Sequence, residues 1–311
     1  MRTLGIDTSN YTTSAAVFDG ADGCNAGRLL TVRPGELGLR QSDALFQHVK
    51  ALPQRFQELK DAGWLNDLDA IGVSDRPRAV EGSYMPCFLA GDSLGHALAL
   101  TLGVPCYCVS HQQGHVAAAA WSAGHLELMD RPMLAWHLSG GTTELLYVEP
   151  DGVNVSAQRI GGTSDISAGQ LIDRTGVLLG LAFPAGKAVD QLSEGRIDRK
   201  FSVKLNDFTF SLSGMENKVR AMAENGDQPE EICGFVLETI ADTVRRATLA
   251  ALKKYPGLPV LCSGGVASNR RLRAVMTAAC GAVFAQPRYS TDNAMGVAIL
   301  AHRLREKELG A

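Results

Sequence analysis

Apolar and polar positions along the first third of the chain predict alternating strands and helices. Apolar runs at residues 3–7, 14–18, 70–74 and 106–109 alternate little with polar residues, as expected for strands that are buried on both faces. Apolar residues recur at helical spacing over residues 43–62, and a second helix is predicted at 93–102, where Gly103 ends it. An alanine-rich helix is predicted directly after Ser110.

The same pattern restarts in the second half of the chain. Strands are predicted at residues 133–138, 144–148 and 260–262, and helices at 168–179, at 229–254 and from about Asn269 onward. The strand–turn–strand segments at 3–18 and 133–148 are typical of a duplicated fold. Strands that alternate with helices predict an α/β architecture of layered sheets.

Composition and charge narrow the class of protein. The 311 residues predict two domains, and 45% apolar with 20% charged residues is an ordinary globular balance. The formal charge of −3 gives no general attraction for nucleic acid, so RNA binding would need local patches or partner proteins. The N-terminus carries no secretory signal, no apolar run reaches membrane-spanning length, and the seven cysteines form no CxxC pair. The sequence therefore predicts a cytoplasmic chain with reduced thiols and no membrane contact.

Glycine-rich turns follow two of the predicted strands. Gly140 and Gly141, within Ser139-Gly140-Gly141-Thr142-Thr143, would let backbone N–H groups converge on an anion, although Gly-Gly is also a common hairpin turn. Gly264 and Gly265 precede a helix whose N-terminus favours phosphate, but they would equally serve a tight connection capped by Ser268 or Asn269. A third candidate for phosphate contact is the acid and hydroxyls that end the first strand, Asp7, Thr8 and Ser9.

Two histidines and a distant aspartate form a candidate metal site. His111 and His115 are spaced i, i+4 on a predicted helix, so both imidazoles lie on one face. Asp292, which precedes a helix of small residues, is a candidate third ligand. Two nitrogens and one carboxylate suit iron or zinc with open positions for substrate. A metalloprotease would need a glutamate beside the first histidine, and Gln112 stands there, so orienting or polarising a substrate is favoured over proteolysis.

Taken together and in order, these motifs resemble the TsaD family. The resemblance spans nearly the whole chain and rests on Leu4-Gly5-Ile6-Asp7-Thr8-Ser9, His111-Gln112-Gln113-Gly114-His115, Leu138-Ser139-Gly140-Gly141-Thr142, Ala168-Gly169 with Asp173, Leu179-Gly180-Leu181 with Pro184, Gly186 and Asp190, Phe210-Ser211-Leu212-Ser213-Gly214, Ser263-Gly264-Gly265-Val266 with Asn269-Arg270, and Thr291-Asp292-Asn293.

The resemblance implies a two-lobed fold of the actin/Hsp70/sugar-kinase type with a nucleotide in the interlobe cleft. Residues 1–105 with 290–311 would form lobe one, and 106–289 would form lobe two with most of the nucleotide-binding turns. The implied reaction transfers threonylcarbamoyl from threonylcarbamoyl-AMP to N6 of adenine 37 in tRNAs that read codons starting with A. It also implies iron, or zinc, at His111, His115 and Asp292. The residues implied to bind the adenylate are Leu138, Ser139, Gly140, Gly141, Thr142, Asp173, Gly186, Asp190, Gly264, Gly265 and Asn269.

The implied chemistry agrees with the absence of an obvious nucleophile motif. A mixed anhydride of AMP is already activated, so positioning and charge stabilisation suffice. The implied partners are tRNA, a paralogous TsaB-like protein of the same fold and a small TsaE-like ATPase. Arg270, Arg271 and Arg273 would either contact tRNA phosphates or form a solvated helix face.

The chain also departs from the family pattern near these motifs. Asn10, Tyr11 and Thr12 replace acidic residues, Thr142 replaces a histidine, and Glu216 replaces a lysine. Ser74-Asp75-Arg76-Pro77-Arg78 replaces a glycine-proline-glycine turn. An alternative is therefore a diverged paralogue of the same fold, acting as a metal- and nucleotide-binding ATPase or kinase or as a non-catalytic scaffold.

Overall fold

The computed structural model describes residues 1–32, 39–195 and 199–310. The chain divides into two compact units, and each is assembled from separate stretches of sequence. Unit 1 comprises Met1–Arg131, Glu149–Ala157 and Asp292–Ala311, and unit 2 comprises Pro132–Val148 and Gln158–Thr291. The sequence-based division placed residues 106–131 with the second half. In the structure they stay with unit 1, because a strand and a helix in this stretch pack on the first sheet.

Unit 1 is built on a five-stranded sheet. Its strands are β1 (Arg2–Thr8), β2 (Thr12–Phe18), β3 (Gly23–Leu29), β4 (Leu68–Arg76) and β5 (Cys106–Ser110), in the order β3-β2-β1-β4-β5. β1, β2 and β3 pair antiparallel, whereas β4 pairs parallel with both β1 and β5. The predicted strands are confirmed with ends shifted by one or two residues, and β3 was not predicted.

Helices cover both faces of this sheet. α1 (Gln41–Asp61) and α2 (Leu89–Leu102) bury Leu52, Leu59 and Ala99 against the face that carries Ile6 and Val73. α9 (Met295–Gly310) packs on the opposite face, where Gly5 and Gly72 leave room for its backbone. α3 (His111–Ser122) packs against α9. The two sides of the sheet therefore present different chemistry, because alternate residues of each strand point to opposite faces.

Unit 2 contains a seven-stranded sheet that repeats the order of the first. Its strands are β6 (Met133–Leu138), β7 (Thr143–Asp151), β8 (Asn154–Thr163), β9 (Leu205–Asn206), β10 (Thr209–Phe210), β11 (Val260–Ser263) and β12 (Val283–Phe284), in the order β12-β11-β6-β7-β8-β10-β9. β6 pairs antiparallel with β7 and parallel with β11, as β1 does with β2 and β4. The predicted duplication of the strand–turn–strand segment is thus present in the sheet order.

The helices of unit 2 surround a single large apolar core. They are α4 (Ala168–Leu178), α5 (Gly186–Leu192), α6 (Ser213–Glu224), α7 (Pro229–Lys254) and α8 (Arg270–Cys280). α7 is buried along much of its length, and its Ile232, Val236 and Ile240 pack with Trp136 of β6. α5 and α6 were not predicted, because neither has a long apolar stripe. Within the described ranges, no helix is long and apolar enough to cross a membrane.

Candidate metal and nucleotide sites

The two histidines of the candidate metal site lie at the start of α3, as predicted. Ser110 caps this helix: its hydroxyl accepts a hydrogen bond from the Gln113 backbone N–H, and the Gln113 side chain accepts one from the Ser110 N–H. This reciprocal cap fixes where the helix begins, and hence the direction of the two imidazoles. His111 and His115 are one helical turn apart, and their Nε2 atoms lie 2.9 Å from each other.

Asp292 joins the histidines from a distant part of the sequence, where it precedes α9. Its Oδ1 atom lies 3.2 Å from His115 Nε2 and 3.6 Å from His111 Nε2. Its other oxygen accepts a hydrogen bond of 3.1 Å from the Ser9 hydroxyl. One ligand atom from each of the three residues lies within 4.8 Å of the other two. The structure therefore brings together the three side chains that the sequence singled out for metal binding.

Asp7 supports this cluster from behind His111. It is fully buried, and its Oδ1 atom lies 2.9 Å from His111 Nδ1. The same oxygen accepts a hydrogen bond from the Ser74 hydroxyl, while Oδ2 has no partner among the described residues. A carboxylate on the second nitrogen of a ligating histidine fixes its tautomer and orientation and increases its basicity. In the sequence Ser74 is notable only as part of a departure from the family pattern, and this hydrogen bond was not predicted, since nothing in a serine on a strand indicates a contact with β1.

The three residues proposed for phosphate contact occupy different environments. Asp7 faces His111, and the Thr8 hydroxyl donates to the backbone carbonyl of Cys87. Ser9 donates to Asp292 and so belongs with the metal cluster. These hydrogen bonds account for all three side chains without an anion, so their phosphate role remains a prediction.

The electrostatics of the cluster favour a bound cation. Burial by itself lowers the pKa of His111, but the nearby Asp7 and Asp292 carboxylates outweigh it and raise that pKa to about 10. Burial would raise the pKa of Asp292, yet its hydrogen bonds with the two histidines hold it well below the usual range. The two Nε2 atoms lie 2.9 Å apart, so a cation placed beside them would contact both imidazoles.

The residues present fit a divalent metal ion. Two imidazole nitrogens and one carboxylate form a donor set typical of iron and zinc sites that keep positions open. His111 Nδ1–H donates its hydrogen bond to Asp7, which leaves Nε2 as the ligating atom. His111, His115 and Asp292 would hold the ion, and Asp7 and Ser9 would orient two of these three ligands.

The first glycine turn of unit 2 connects β6 to β7. Ser139 N–H donates to the Thr142 carbonyl, and the Ser139 hydroxyl accepts from the Thr142 N–H at 3.0 Å. The N-terminus of α4 packs on this turn, since the Ser167 hydroxyl donates to the Gly140 carbonyl and a side chain at Gly169 would collide with it. Around Gly140 and Gly141 themselves, a Cβ atom would meet nothing within 4 Å. The turn is firmly held on one side and open on the other.

The second glycine turn follows β11, and its two glycines have different surroundings. Gly264 has φ of +96°, and an added Cβ would overlap the Leu138 backbone, so only glycine fits there. Gly265, the next residue, faces open space. Asn269 caps α8 by accepting a hydrogen bond from the Leu272 N–H at 2.8 Å, which confirms one of the two predicted caps.

Two aspartates connect these turns to α4 and α5. Asp190 accepts a hydrogen bond of 2.5 Å from the Asn269 side chain, and Asp173 accepts one of 2.8 Å from the Ala185 N–H. Gly186 follows Ala185, and a Cβ atom added at Gly186 would meet nothing within 4 Å. Hydrogen bonds and close contacts therefore link the elements of unit 2 that carry the residues predicted to bind the adenylate.

The arginines of α8 are engaged within unit 2. Arg270 forms ion pairs with Asp190 and Glu194, and Arg271 pairs with Glu238. Arg273 donates to the carbonyls of Ala267 and Ala285. Arg270 and Arg271 also line a pocket of about 270 Å³ with Asp190 and Glu238. These pairings favour a structural role over a free basic patch for tRNA phosphates.

Some departures from the family pattern are accommodated locally. Glu216 forms an ion pair of 2.7 Å with Arg174 of α4. Asn10 accepts a hydrogen bond from Gln41, Thr12 is buried on β2, and Tyr11 is exposed. The altered charge at Glu216 therefore has a partner in this chain.

Comparison with solved structures identifies the class of fold. The sheet order repeated in the two units defines an α/β protein of the actin/Hsp70/sugar-kinase class. The chain matches full-length HypF, solved in a phosphate- and nucleotide-bound form, with a TM-score of 0.60 over 98% of this chain and 46% of that one, at 13% identity. It matches component A of (R)-2-hydroxyglutaryl-CoA dehydratase from Acidaminococcus fermentans with a TM-score of 0.57, covering 98% of this chain and 99% of that one, at 14% identity.

Sequence comparison then identifies the family. The family model for TsaD, tRNA N6-adenosine threonylcarbamoyltransferase, matches residues 38–299. A tRNA N6-adenosine threonylcarbamoyltransferase from Rhizobium etli is 33% identical, over 96% of this chain and 87% of that protein. One from Streptococcus pneumoniae is 31% identical, over 73% of this chain and 67% of that protein. The chain belongs to the TsaD family, as its motifs predicted.

Proposed function

We propose that this chain transfers the threonylcarbamoyl group of threonylcarbamoyl-AMP to N6 of adenine 37 in tRNAs that read codons starting with A, releasing AMP. The observation that carries the proposal is the convergence of His111, His115 and Asp292, with Asp7 hydrogen-bonded behind His111. A pure scaffold has no need for three converging ligands and a buried carboxylate that orients one of them.

The proposed adenylate site lies in unit 2. Gly140, Gly141, Gly186 and Gly265 leave space in which backbone N–H groups can approach a phosphate or a flat base. Leu138, Ser139 and Thr142 would shape the first turn, and Gly264 and Asn269 the second. Asp173 and Asp190 would accept hydrogen bonds from ribose hydroxyls.

The proposed reaction needs no covalent nucleophile from the protein. The N6 amine of the tRNA attacks the carbamoyl carbon, the bond from that carbon to the phosphate oxygen breaks, AMP leaves with the electron pair, and the amine loses a proton. An iron or zinc ion at His111, His115 and Asp292 would supply Lewis-acid polarisation of the threonylcarbamoyl oxygens. Asp7 holds His111 in one tautomer, and Ser9 holds one oxygen of Asp292, so both ligands are oriented before substrate binds.

The proposed partners follow from family membership. They are tRNA, a TsaB-like paralogue of the same fold and a TsaE-like small ATPase, and we place the reaction in the cytoplasm. Because Arg270 and Arg271 are paired within unit 2, we assign most of the tRNA contact to the partner proteins rather than to α8.

The decisive experiment is reconstitution of the transfer with purified protein, iron or zinc, unmodified tRNA, threonylcarbamoyl-AMP and the two partner proteins. Modified nucleoside is measured after digestion of the tRNA. Wild type should produce threonylcarbamoyladenosine, and His111→Ala should lower the rate at least about a hundredfold, since loss of a ligand should cost no less than loss of an outer partner.

The matched control is His125→Ala, because His125 is exposed and its side chain bonds Glu127, outside the metal cluster. It should retain wild-type activity. Failure of the wild type to modify tRNA, while it still binds metal and nucleotide, would overturn the proposal and favour a diverged ATPase, kinase or scaffold.

A further inference from the structure

A second cluster of metal-ligand side chains lies in unit 1, away from the histidine pair of α3. Asp92 and His96 stand one turn apart on α2, and Cys108 lies on β5. His96 Nε2 is 3.3 Å from Asp92 Oδ1 and 3.6 Å from Cys108 Sγ. One donor atom from each of the three lies within 4.8 Å of the other two, as at His111, His115 and Asp292.

The sheet of unit 1 separates this cluster from the first one. Ser74 points to the same face as Asp7, while Val73 points to the face covered by α2. Cys108 pairs with Val73 in the parallel register, so it shares the α2 face. Its neighbour Tyr107 points the other way and bonds Glu308 of α9. The two clusters are therefore distinct sites on opposite sides of one sheet.

The close approach of α2 to the sheet places these donors together. At Gly95 an added Cβ would overlap Val73, so the helix lies directly on β4 at that point. His96 follows Gly95 and is brought beside Cys108 on the neighbouring strand. The packing of α2 on β4 therefore determines where His96 lies.

We propose that Asp92, His96 and Cys108 bind a divalent ion of the zinc class, which links α2 to β5. One thiolate, one imidazole and one carboxylate form the mixed soft and borderline donor set that zinc prefers. Metal–ligand distances of about 2.0–2.3 Å place neighbouring donors of a tetrahedral site about 3.3–3.8 Å apart. The observed separations of 3.3 and 3.6 Å match that geometry.

The negative charge of Asp75 supports a cation site at Asp92, His96 and Cys108. Its Oδ1 atom is buried and has no hydrogen-bond partner within the described part of the chain, although Oδ2 pairs with Arg76 at 2.8 Å. Burial raises the pKa of the Cys108 thiol, and the charges of Asp75 and Asp92 raise it further, so both carboxylates lie close to this thiol. A divalent cation in this half-exposed region would offset the repulsion between the two carboxylates.

The site is a feature of this chain and not of the family motifs. None of its three ligands belongs to the motif series on which the family resemblance rests, and Asp75 lies in the stretch that replaces the glycine-proline-glycine turn. The ion would be held by one residue of a strand and two of a helix. Its expected effect is to stabilise unit 1 by joining these elements.

Cobalt substitution tests this site separately from the histidine pair. A thiolate bound to Co²⁺ gives a near-ultraviolet charge-transfer band, and the site at His111 contains no sulfur. Full-length protein titrated with Co²⁺ should therefore develop the band, and Cys108→Ser should abolish it. Cobalt bound at saturation should fall by one equivalent in this variant.

Three further variants make the result specific. Cys106→Ser, on the same strand two residues away, should keep the band, because Cys106 is not part of the cluster. His111→Ala should also keep the band while it loses the other equivalent of cobalt. His96→Ala should weaken the Co²⁺ affinity that this band reports by more than the roughly 10–100-fold typical of losing an outer partner. No band in wild type, or a band that survives Cys108→Ser, would overturn the proposal and leave an ordinary hydrogen-bonded cluster.

Discussion

The candidate metal site of unit 1 and the candidate nucleotide site of unit 2 are constructed in opposite ways. The metal site consists of ionisable side chains that converge beside His111, and buried Asp7 and Ser9 orient two of its three ligands. The nucleotide site consists mainly of backbone, with glycines next to open space at Gly140 and Gly265. A small, highly charged ion needs ligands fixed in advance, whereas a phosphate or a base needs donors and room.

The largest expected effect separates the two sites. Asp292→Asn removes the only carboxylate among the three ligands, so metal affinity should fall at least about a hundredfold, with transfer activity falling in parallel. AMP binding by unit 2 should change less, because AMP lacks the threonylcarbamoyl group that the metal would hold. Isothermal titration with metal and with AMP measures both effects. Equal losses in the two titrations would contradict this division of roles between the two units.

A pair of glycine substitutions distinguishes structural from open positions in the nucleotide site. Gly264→Ala should lower the free energy of unfolding by roughly 2–6 kcal/mol, since it combines strain at positive φ with overlap against Leu138. Gly140→Ala, in open space, should change it by no more than about 0.5 kcal/mol. Urea unfolding measures these changes. If Gly140→Ala binds AMP more weakly while its stability is unchanged, the result would support direct contact between this turn and the nucleotide.

The buried carboxylate behind His111 should act through metal affinity. Asp7→Asn removes the charge that His111 Nδ1 contacts, and loss of such an outer partner costs about 10–100-fold in affinity. Competition with a chromogenic chelator measures this change. Ser74→Ala, which removes only the second hydrogen bond to Asp7, is the graded comparison and should have a smaller effect in the same direction.

The protonation of His111 should make metal-free protein less stable at high pH. The folded-state pKa of about 10 lies above the ordinary value of 6.5, so the charged form is favoured by folding. This stabilisation is complete below about pH 6.5 and is lost as the pH rises through 10. Thermal unfolding of chelator-treated protein should therefore show a falling Tm over this range. His111→Ala should have a flatter profile, and identical slopes would contradict the assignment.

The smallest expected effect concerns a departure from the family in unit 2. Glu216→Lys restores the usual family charge but places it against Arg174, which pairs with Glu216 at 2.7 Å. Because both side chains are partly exposed, the loss of stability should be at most about 1 kcal/mol. Chemical denaturation of this variant and of Arg174→Glu/Glu216→Lys, which restores an opposite-charge pair, measures it. A much larger loss would indicate a role for Glu216 beyond this ion pair.

The regular elements with strong apolar patterns could be predicted from sequence. α7 and β6 have the predicted bounds, because long apolar stripes and short buried runs are local signals. β3, α5 and α6 carry weaker patterns and were missed. The extra strands β9 and β10 have two residues each, so no periodicity can reveal them.

Local spacing also determined part of the candidate sites. The i, i+4 spacing of His111 and His115 and the glycines at the ends of β6 and β11 follow from the order of residues alone. What spacing could not supply is any contact between residues far apart in the chain. The hydrogen bonds of Ser74 with Asp7 and of Asn269 with Asp190 join residues 67 and 79 positions apart.

The sequence by itself determined the family, the duplicated strand pattern and the identity of the three proposed metal ligands. Tertiary structure decided that Asp7 orients His111 and that the arginines of α8 are paired. It also decided that Cys108 of β5 lies beside His96 of α2. The reason is physical: helix and strand periods are set by neighbours in sequence, whereas burial, pairing and pKa depend on which distant side chains the packing of sheets and helices brings within a few ångströms.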